Sequence, residues 1–137
     1  MKKIFLLLFI PILSCSNEQN QKPVELKYPE DSILTWNQAF TIKDSDYYLY
    51  FYSETCGHCI RLKQEVLTFY YKGNFNCYFV NCTNYGVFKE DSSKIIGIHN
   101  IYDLYIIGTP TILRIEKSTV SEYYGGEEAI RNLMKNK

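Results

Sequence analysis

The chain has 137 residues, of which 46% are hydrophobic and 16% aromatic, with fifteen basic and fifteen acidic side chains. This length suits one domain, and the aromatic content argues against a disordered chain. The formal net charge of zero gives no support to a nucleic-acid-binding surface, which would need an excess of Lys and Arg. The five cysteines are an odd number, so each position has to be interpreted separately.

The chain begins with the features of a secretory signal peptide. Two lysines precede an apolar run over residues 4–13, which is too short to span a bilayer because a membrane helix needs roughly 20 residues. Ile12-Leu13-Ser14-Cys15 then resembles the lipobox of bacterial lipoproteins. The resemblance implies that residues 1–14 are removed and that Cys15 is lipidated, which would anchor an extracytoplasmic protein to a bacterial membrane. An ordinary signal peptide with an incidental Cys15 is the alternative.

The residues after Cys15 divide into a tether and a folded domain. Residues 15–32 are polar and proline-containing without apolar periodicity, which is typical of a flexible tether. Residues 33–137 are predicted to form the domain. With Cys15 assigned to the lipid, four cysteines remain in an exported domain, where disulfides can persist.

The first elements of the domain lead to a pair of cysteines. Thr35 and Gln38 have the spacing of a capping box, which predicts a short helix over residues 36–42. Residues 47–52 are aromatic or aliphatic without alternation, which predicts a strand buried on both faces. Apolar residues then recur at three- and four-residue steps over residues 59–72, which indicates an amphipathic helix ended by the next glycine.

The second half of the domain contains more strands than helices. The predicted elements are a strand over 75–82, a surface insertion or irregular helix over 84–100, a short helix over 101–107, a hairpin of strands 111–115 and 120–124, and a closing helix over 127–134. This order predicts an α/β fold with a mixed central β-sheet flanked by helices on both faces.

The chemistry is predicted to lie in Cys56-Gly57-His58-Cys59, between the buried strand and the helix. Cys56 falls at the helix N-terminus, where unpaired N–H groups and the helix dipole stabilise a thiolate. Cys56 is therefore the expected nucleophile, and Cys59, one turn later and more buried, the resolving thiol. Gly57 is expected to permit the tight turn. His58 is expected to favour the reduced thiolate, which makes the disulfide form a better oxidant.

This arrangement resembles the thioredoxin superfamily over about residues 33–135. The matching features are the strand, the C-x-x-C pair, the helix, and Gly108-Thr109-Pro110-Thr111 before a hairpin and a last helix. Gly57-His58 is the dipeptide typical of protein disulfide isomerase. The resemblance implies a thioredoxin-like fold and a cis peptide bond before Pro110, although an ordinary trans proline is the default. It also implies that Thr109 and Pro110 pair with the extended backbone of a substrate.

The activity implied by the resemblance is thiol–disulfide exchange. The expected partners are the thiols or disulfides of exported proteins or a membrane redox partner, with no cofactor, no metal and a monomeric chain. The direction, whether oxidation, isomerisation or reduction, stays open. A different class of function is a non-enzymatic lipoprotein that binds a partner through a domain with a structural C-x-x-C. A zinc site completed by Cys77 and Cys82 or by His58 and His99 is a further alternative.

Cys77 and Cys82 are not expected to pair with each other. Along a strand they lie five positions apart, so they point to opposite faces about 16 Å apart, whereas a disulfide joins Cα atoms up to roughly 7 Å apart. Two buried free thiols are therefore predicted.

Two positions depart from the pattern of the superfamily. Thr55 precedes the first cysteine where an aromatic residue is usual, and Tyr50 replaces the buried carboxylate that many members carry six residues before it. The proton acceptor for Cys59 is consequently open, with Glu54, Glu90 and a water molecule as candidates.

Overall fold

The computed structural model describes residues 22–73 and 75–137, so the predicted signal peptide and the predicted lipidation site Cys15 lie outside the described residues. The strands are β1 (Ile33–Leu34), β2 (Asp46–Tyr52), β3 (Cys77–Asn81), β4 (Thr111–Glu116) and β5 (Thr119–Gly125), and the α-helices are α1 (Gly57–Tyr71) and α2 (Gly126–Lys135). Single turns of 3-10 helix, Glu30–Ser32 and Trp36–Gln38, flank β1. None of the helices in the described ranges is long and apolar enough to cross a membrane.

The five strands form one mixed sheet in the order β1-β3-β2-β4-β5. β1, β3 and β2 are parallel, and β4 and β5 continue the sheet in antiparallel pairing. The predicted mixed sheet is thus confirmed. β2 lies at the centre, and its residues 47–52 are all buried. Both faces of this central strand are covered, so its side chains do not alternate between core and solvent.

Both α-helices pack on the same face of the sheet. Leu62, Val66 and Leu67 from α1 meet Ile130 and Leu133 from α2 in one cluster, which also includes the even-numbered tyrosines of β2. The chain leaves α1 through a glycine with a positive φ of 77° at position 73, as the sequence pattern predicts. This face therefore positions the helix that follows the C-x-x-C motif.

The opposite face is covered mainly by irregular chain. The stretch over 84–100 is irregular and mostly exposed, which agrees with the predicted surface insertion, whereas the predicted short helix over 101–107 is wrong. Both parts form turns, with one isolated bridge between Phe88 and Ile106. The segment supplies the buried Ile95, Ile98, Leu104 and Ile106 to the second core cluster. Two backbone hydrogen bonds to Val120, of 2.9 and 2.7 Å, attach it to β5. Its apolar residues therefore cover the sheet without forming a helix. The backbone N–H and C=O groups of the segment are paired in turns and with other segments instead.

The first predicted helix is only one 3-10 turn. Gln38 accepts a hydrogen bond from the backbone N–H of Thr35 through Oε1 at 2.8 Å, so the predicted cap is present. Trp36 and Ala39 are the buried residues of this segment. Their spacing of three fits one face of a 3-10 helix and of an α-helix alike, and the predicted α-helical extension to residue 42 does not form.

The folded part of the chain begins before residue 33, so the predicted flexible tether over 15–32 is too long at its C-terminal end. Leu26 and Gln64 of α1 exchange two hydrogen bonds, of 3.2 and 3.3 Å. The ring of Tyr28 stacks on that of Tyr52 with centroids 4.0 Å apart. Residues 25–27 therefore lie along α1, where they contact Lys63, Gln64 and Tyr71.

Candidate active site

Cys56 is the N-cap residue of α1, directly after the end of β2. Its Sγ accepts a hydrogen bond from the backbone N–H of Cys59 at 3.3 Å, and its thiol donates to the carbonyl oxygen of Thr109 at 3.3 Å. The peptide bond between Thr109 and Pro110 is cis. The loop thus places a backbone carbonyl against the thiol, 53 positions away in sequence.

The two thiols of the motif have opposite pKa shifts. Burial acts to raise the pKa of Cys56, but hydrogen bonds from the Cys59 thiol, from the Thr109 side chain and from the backbone N–H groups of Cys59 and His58 bring it below its usual value. Burial raises the pKa of Cys59 to about 11, and its hydrogen bond to Cys56 adds to the rise. Cys56 is partly accessible whereas Cys59 is buried. The partly exposed and more acidic Cys56 is suited to attack a disulfide first. The buried and less acidic Cys59 is suited to resolve the mixed disulfide afterwards.

The other two described cysteines lie away from this pair. Cys77 packs in the cluster on the α1 face, and Cys82 packs in the cluster on the opposite face. Both are free thiols. Burial raises the pKa of Cys77, and it raises the pKa of Cys82 to about 12. Their placement on opposite faces agrees with the strand geometry predicted for them.

Gly57 is the first residue of α1 and does not have a positive φ. A Cβ atom at this position would lie 3.6 Å from Nη1 of Arg61, which is ordinary contact. Gly57 is thus compatible with the turn, as expected, and the backbone there would also accept a residue with a side chain.

The His58 imidazole is held by Glu127 of α2. Its Nδ1 lies 2.6 Å from Oε1 of Glu127, and Nη2 of Arg61 lies 2.7 Å from the same oxygen. Nη1 of Arg131 contacts the other carboxylate oxygen at 3.0 Å. Hydrogen bonds from His58 and Arg61 lower the pKa of Glu127 to about 2. His58 thus acts on Cys56 through its backbone N–H, while its side chain links α1 to α2.

Sequence reasoning missed Glu127. The available signal was an acidic residue in the first turn of a predicted helix, a favourable position for a carboxylate at any helix. Only the packing of α1 beside α2 shows which basic groups it meets.

A surface cavity of about 510 Å³ lies beside Cys59, and Tyr28, Tyr52, Glu54 and Lys63 are among its lining residues. Glu54 therefore shares a cavity with the resolving thiol. Glu90 lines a different cavity, formed by the segment that covers the opposite face. The structure consequently does not bring Glu90 to Cys59.

No group of three or more His, Cys, Asp or Glu side chains suited to a metal ion occurs in residues 22–73 and 75–137.

Comparison with solved structures relates this geometry to known proteins. Thioredoxin f2 from Chlamydomonas reinhardtii superposes with a TM-score of 0.53 at 16% sequence identity, covering 76% of this chain and 93% of that one. The chain has a thioredoxin-like fold. Thioredoxin O2 from Arabidopsis thaliana, in the oxidized state, gives a TM-score of 0.44 at 12% identity, covering 80% and 97% of the two chains. No protein-family model matches the chain, and no curated protein sequence matches it.

Tyr50 lies in the core beside the C-x-x-C pair. It lies on β2 opposite Phe79 of β3 and Ile112 of β4, and it is fully buried. Its hydroxyl is the one buried side-chain polar atom without a hydrogen-bond partner in the described part of the chain. Where the sequence comparison expected a carboxylate, the site therefore has an unpaired phenol.

Proposed function

We propose that the chain is a thiol–disulfide oxidoreductase that works through Cys56 and Cys59. The observation that carries this proposal is the position of the Cys56 thiol. It caps α1, accepts the Cys59 N–H, contacts the Thr109 carbonyl and has a pKa below that of an ordinary thiol, while the pKa of Cys59 is raised. Such a pair differs in accessibility and acidity as a nucleophile and a resolving thiol must.

In the reducing direction the exchange proceeds in two displacements. The Cys56 thiolate attacks one sulfur of a substrate disulfide, forms a mixed disulfide and releases the other substrate sulfur as a thiolate. Cys59 loses its proton to solvent and attacks the Cys56 sulfur, which releases the second substrate sulfur. The two protein thiols become a disulfide and the substrate gains the two electrons. The oxidising direction is the reverse, in which a substrate thiolate attacks the protein disulfide.

The substrate class is an extended segment of an exported protein or of a redox partner. The backbone of Thr109 and Pro110 would pair with this segment beside Cys56. Ile60 follows the motif and Ile107 precedes the loop, and both are exposed apolar side chains. Exposed apolar groups near a reactive thiol suit a polypeptide better than a small hydrophilic thiol.

Insulin reduction by the dithiothreitol-reduced protein tests the activity. The Cys56→Ser variant is expected to lose the catalysed rate, because no other described thiol combines accessibility with a lowered pKa. Cys77→Ala is the matched control, since it removes a buried thiol outside the site, and it should retain the wild-type rate. Equal rates for wild type and Cys56→Ser would contradict the proposal and favour a non-enzymatic binding module.

The reduction potential of the Cys56–Cys59 pair decides the direction. A value of about −270 mV indicates a reductase, and a value of about −120 to −180 mV indicates an oxidase or isomerase. Equilibration with glutathione buffers, followed by thiol trapping, measures it.

The proposed location is the outer side of a bacterial membrane, with Cys15 as the lipid anchor. Mass spectrometry of the N-terminal peptide, from the full chain expressed in a bacterium, tests this placement. An acylated Cys15 at the N-terminus is expected. An unmodified Cys15, or residues 1–14 still attached, would contradict the lipid anchor without affecting the redox proposal.

A further inference from the structure

The Tyr50 hydroxyl is a buried polar group without a partner at hydrogen-bond distance and angle. The Tyr28 phenol lies beside it, close enough for Tyr50 to act on the pKa of Tyr28. The side chain has no exposed surface, and its ring lies parallel to that of Tyr52, with 13° between the planes and centroids 6.1 Å apart. The ring of Phe79 packs edge-on against that of Tyr50, with centroids 5.9 Å apart. Burying a hydroxyl without a hydrogen bond is unfavourable, so such a group in a folded protein calls for an explanation.

The surroundings of Tyr50 lead to the reactive pair. Tyr50 and Cys59 pack in the same core cluster, against which Cys56 is also packed. Tyr28, Tyr52 and Cys59 together line the surface cavity beside the first turn of α1. Apart from burial, the groups that raise the pKa of Tyr50 are Tyr28 and then Cys59, followed by the thiols of Cys77 and Cys56. The phenol therefore lies within electrostatic reach of Cys59.

One state of the proposed reaction supplies the missing acceptor. Cys59 becomes a thiolate when it resolves a mixed disulfide, or when its disulfide with Cys56 is opened by a substrate thiolate. A thiolate accepts hydrogen bonds strongly, and bonds to charged groups are stronger than neutral ones. We propose that the Tyr50 hydroxyl donates a hydrogen bond to the Cys59 thiolate during exchange. This inference rests on the proposed function and assigns Tyr50 a part in its second step.

Tyr50 can donate but is unsuited to accept the Cys59 proton. Burial raises the pKa of Tyr50 far above neutrality, so the phenol stays protonated throughout. The proton of Cys59 consequently leaves through the cavity to solvent. The Cys59 thiolate then attacks the Cys56 sulfur of the mixed disulfide and the substrate thiolate departs, while Tyr50 keeps its own proton.

Cys59 has other titratable neighbours besides Tyr50, and a Tyr50→Phe substitution leaves all of them in place. These groups lie near Cys59 or line its cavity. They are Cys56 and Lys63 at the start of α1 and within it, Tyr28 and Glu25 of the N-terminal segment, Tyr52 and Glu54 at the end of β2 and just after it, and Cys82 after β3.

Dithiobis-nitrobenzoate separates the two steps in the reduced wild-type protein. Attack by Cys56 releases one equivalent of nitrobenzoate thiolate and leaves a mixed disulfide. Attack by Cys59 on that disulfide then releases a second equivalent. In Tyr50→Phe the first phase is expected to keep its rate, and the second to slow by about threefold. A rise of one unit in the pKa of Cys59 lowers its thiolate fraction about tenfold, and the greater nucleophilicity of the less acidic thiolate offsets about threefold of that loss. The pH profile of the second phase should move upward by the same one unit.

Tyr47→Phe is the matched control on the same strand. The Tyr47 hydroxyl donates to the carbonyl oxygen of Ala39 at 3.0 Å on the opposite face of the sheet. Its loss should lower the denaturant midpoint and leave both phases unchanged, whereas Tyr50→Phe should not lower that midpoint because the hydroxyl it removes is unpaired.

The outcomes separate the two proposals. A wild-type first phase no faster than that of an unfolded cysteine would overturn the proposed function itself. A normal first phase with a second phase that Tyr50→Phe leaves unchanged in rate and pH profile would overturn the role of Tyr50 alone. A Tyr50→Phe variant that loses folding stability would also overturn it, because the hydroxyl would then have a structural partner.

Discussion

Alkylation of the reduced protein by iodoacetamide at pH 7 should modify Cys56 far ahead of the other described cysteines. Iodoacetamide reacts with the thiolate, so the rate at each cysteine depends on its pKa, on the intrinsic reactivity of its thiolate and on its accessibility. The structure separates Cys56 from Cys59, Cys77 and Cys82 in both pKa and accessibility.

The size of the preference follows from the two pKa values in the motif. The pKa of Cys56 lies below that of an ordinary thiol, so more than about 1% of it is thiolate at pH 7. Cys59, with a pKa of about 11, is about 0.01% thiolate. The thiolate fractions therefore differ by a factor of at least about 100. A less acidic thiol gives a more reactive thiolate, by about eightfold over two pKa units. The net preference for Cys56 is therefore about tenfold before accessibility is considered.

Accessibility increases this preference further. Cys59 is only 2% exposed, so the alkylating group cannot approach it without local opening of α1. Cys77 is equally buried, and Cys82 combines 6% exposure with a pKa of about 12. One carbamidomethyl group per chain, on Cys56, is the expected product at short times.

The assay is peptide mass spectrometry of samples quenched over time, with the Cys56→Ser variant as control. That variant should be alkylated only slowly in the native state, and all of its remaining cysteines should react in guanidinium chloride. Comparable native-state rates at Cys56 and Cys59 would refute the reasoning from helix capping and burial. Fast modification of Cys82 in the native protein would show that the second core cluster is open.

Three further substitutions test other parts of the structure by chemical denaturation. Gly57→Ala should stabilise the fold by about 0.4–1 kcal/mol, since the backbone there is ordinary and a Cβ has room; a loss of stability would show that glycine is required. Glu127→Gln should be less stable than wild type at pH 7 because it loses its ion pair with Arg61. The pKa of Glu127 is about 2 in the folded state instead of 4.5, so the stability that its carboxylate contributes is complete above pH 4.5 and disappears as the pH falls to about 2. The difference in unfolding free energy between wild type and Glu127→Gln should therefore narrow over that window. A difference that stays constant with pH would contradict this role of the carboxylate. Tyr28→Ala should cost about 0.5–1.5 kcal/mol through lost stacking on Tyr52, with Tyr28→Phe near neutral as its control; equal losses would place the contribution in the hydroxyl.

Short-range patterns were sufficient for the elements that carry the motif. An unbroken apolar run predicted the central strand β2, and three- and four-residue periodicity predicted α1 with its stop at Gly73. Both are local signals, since a strand buried on two faces loses its alternation and a half-buried helix keeps its period. The position of Cys56 at the junction of the two follows from them directly.

The segment over residues 84–107 could not be predicted in the same way. Ile95 and Ile98 are spaced like residues of a helix, but their neighbours Gly97 and Ser93 favour turns. The backbone of this segment is satisfied in part by Val120 of β5, a partner about 22 positions away in sequence. A local pattern does not contain that partner, so the sequence did not show that this segment supplies five of the fifteen buried residues of the second core cluster.

The four described cysteines differ in pKa, and only part of that difference can be predicted from local sequence; the rest depends on the three-dimensional fold. The acidity of Cys56 follows from the helix that begins beside it, and that helix is readable from local periodicity. The raised pKa values of Cys59 and Cys82 follow from burial, which depends on what the rest of the chain packs over them. Tyr28, which precedes the domain that the sequence predicted, lines the same cavity as Cys59. The nucleophile is thus defined by local sequence, whereas the resolving thiol acquires its properties from long-range packing, so substitutions far from the motif should alter the second displacement more than the first.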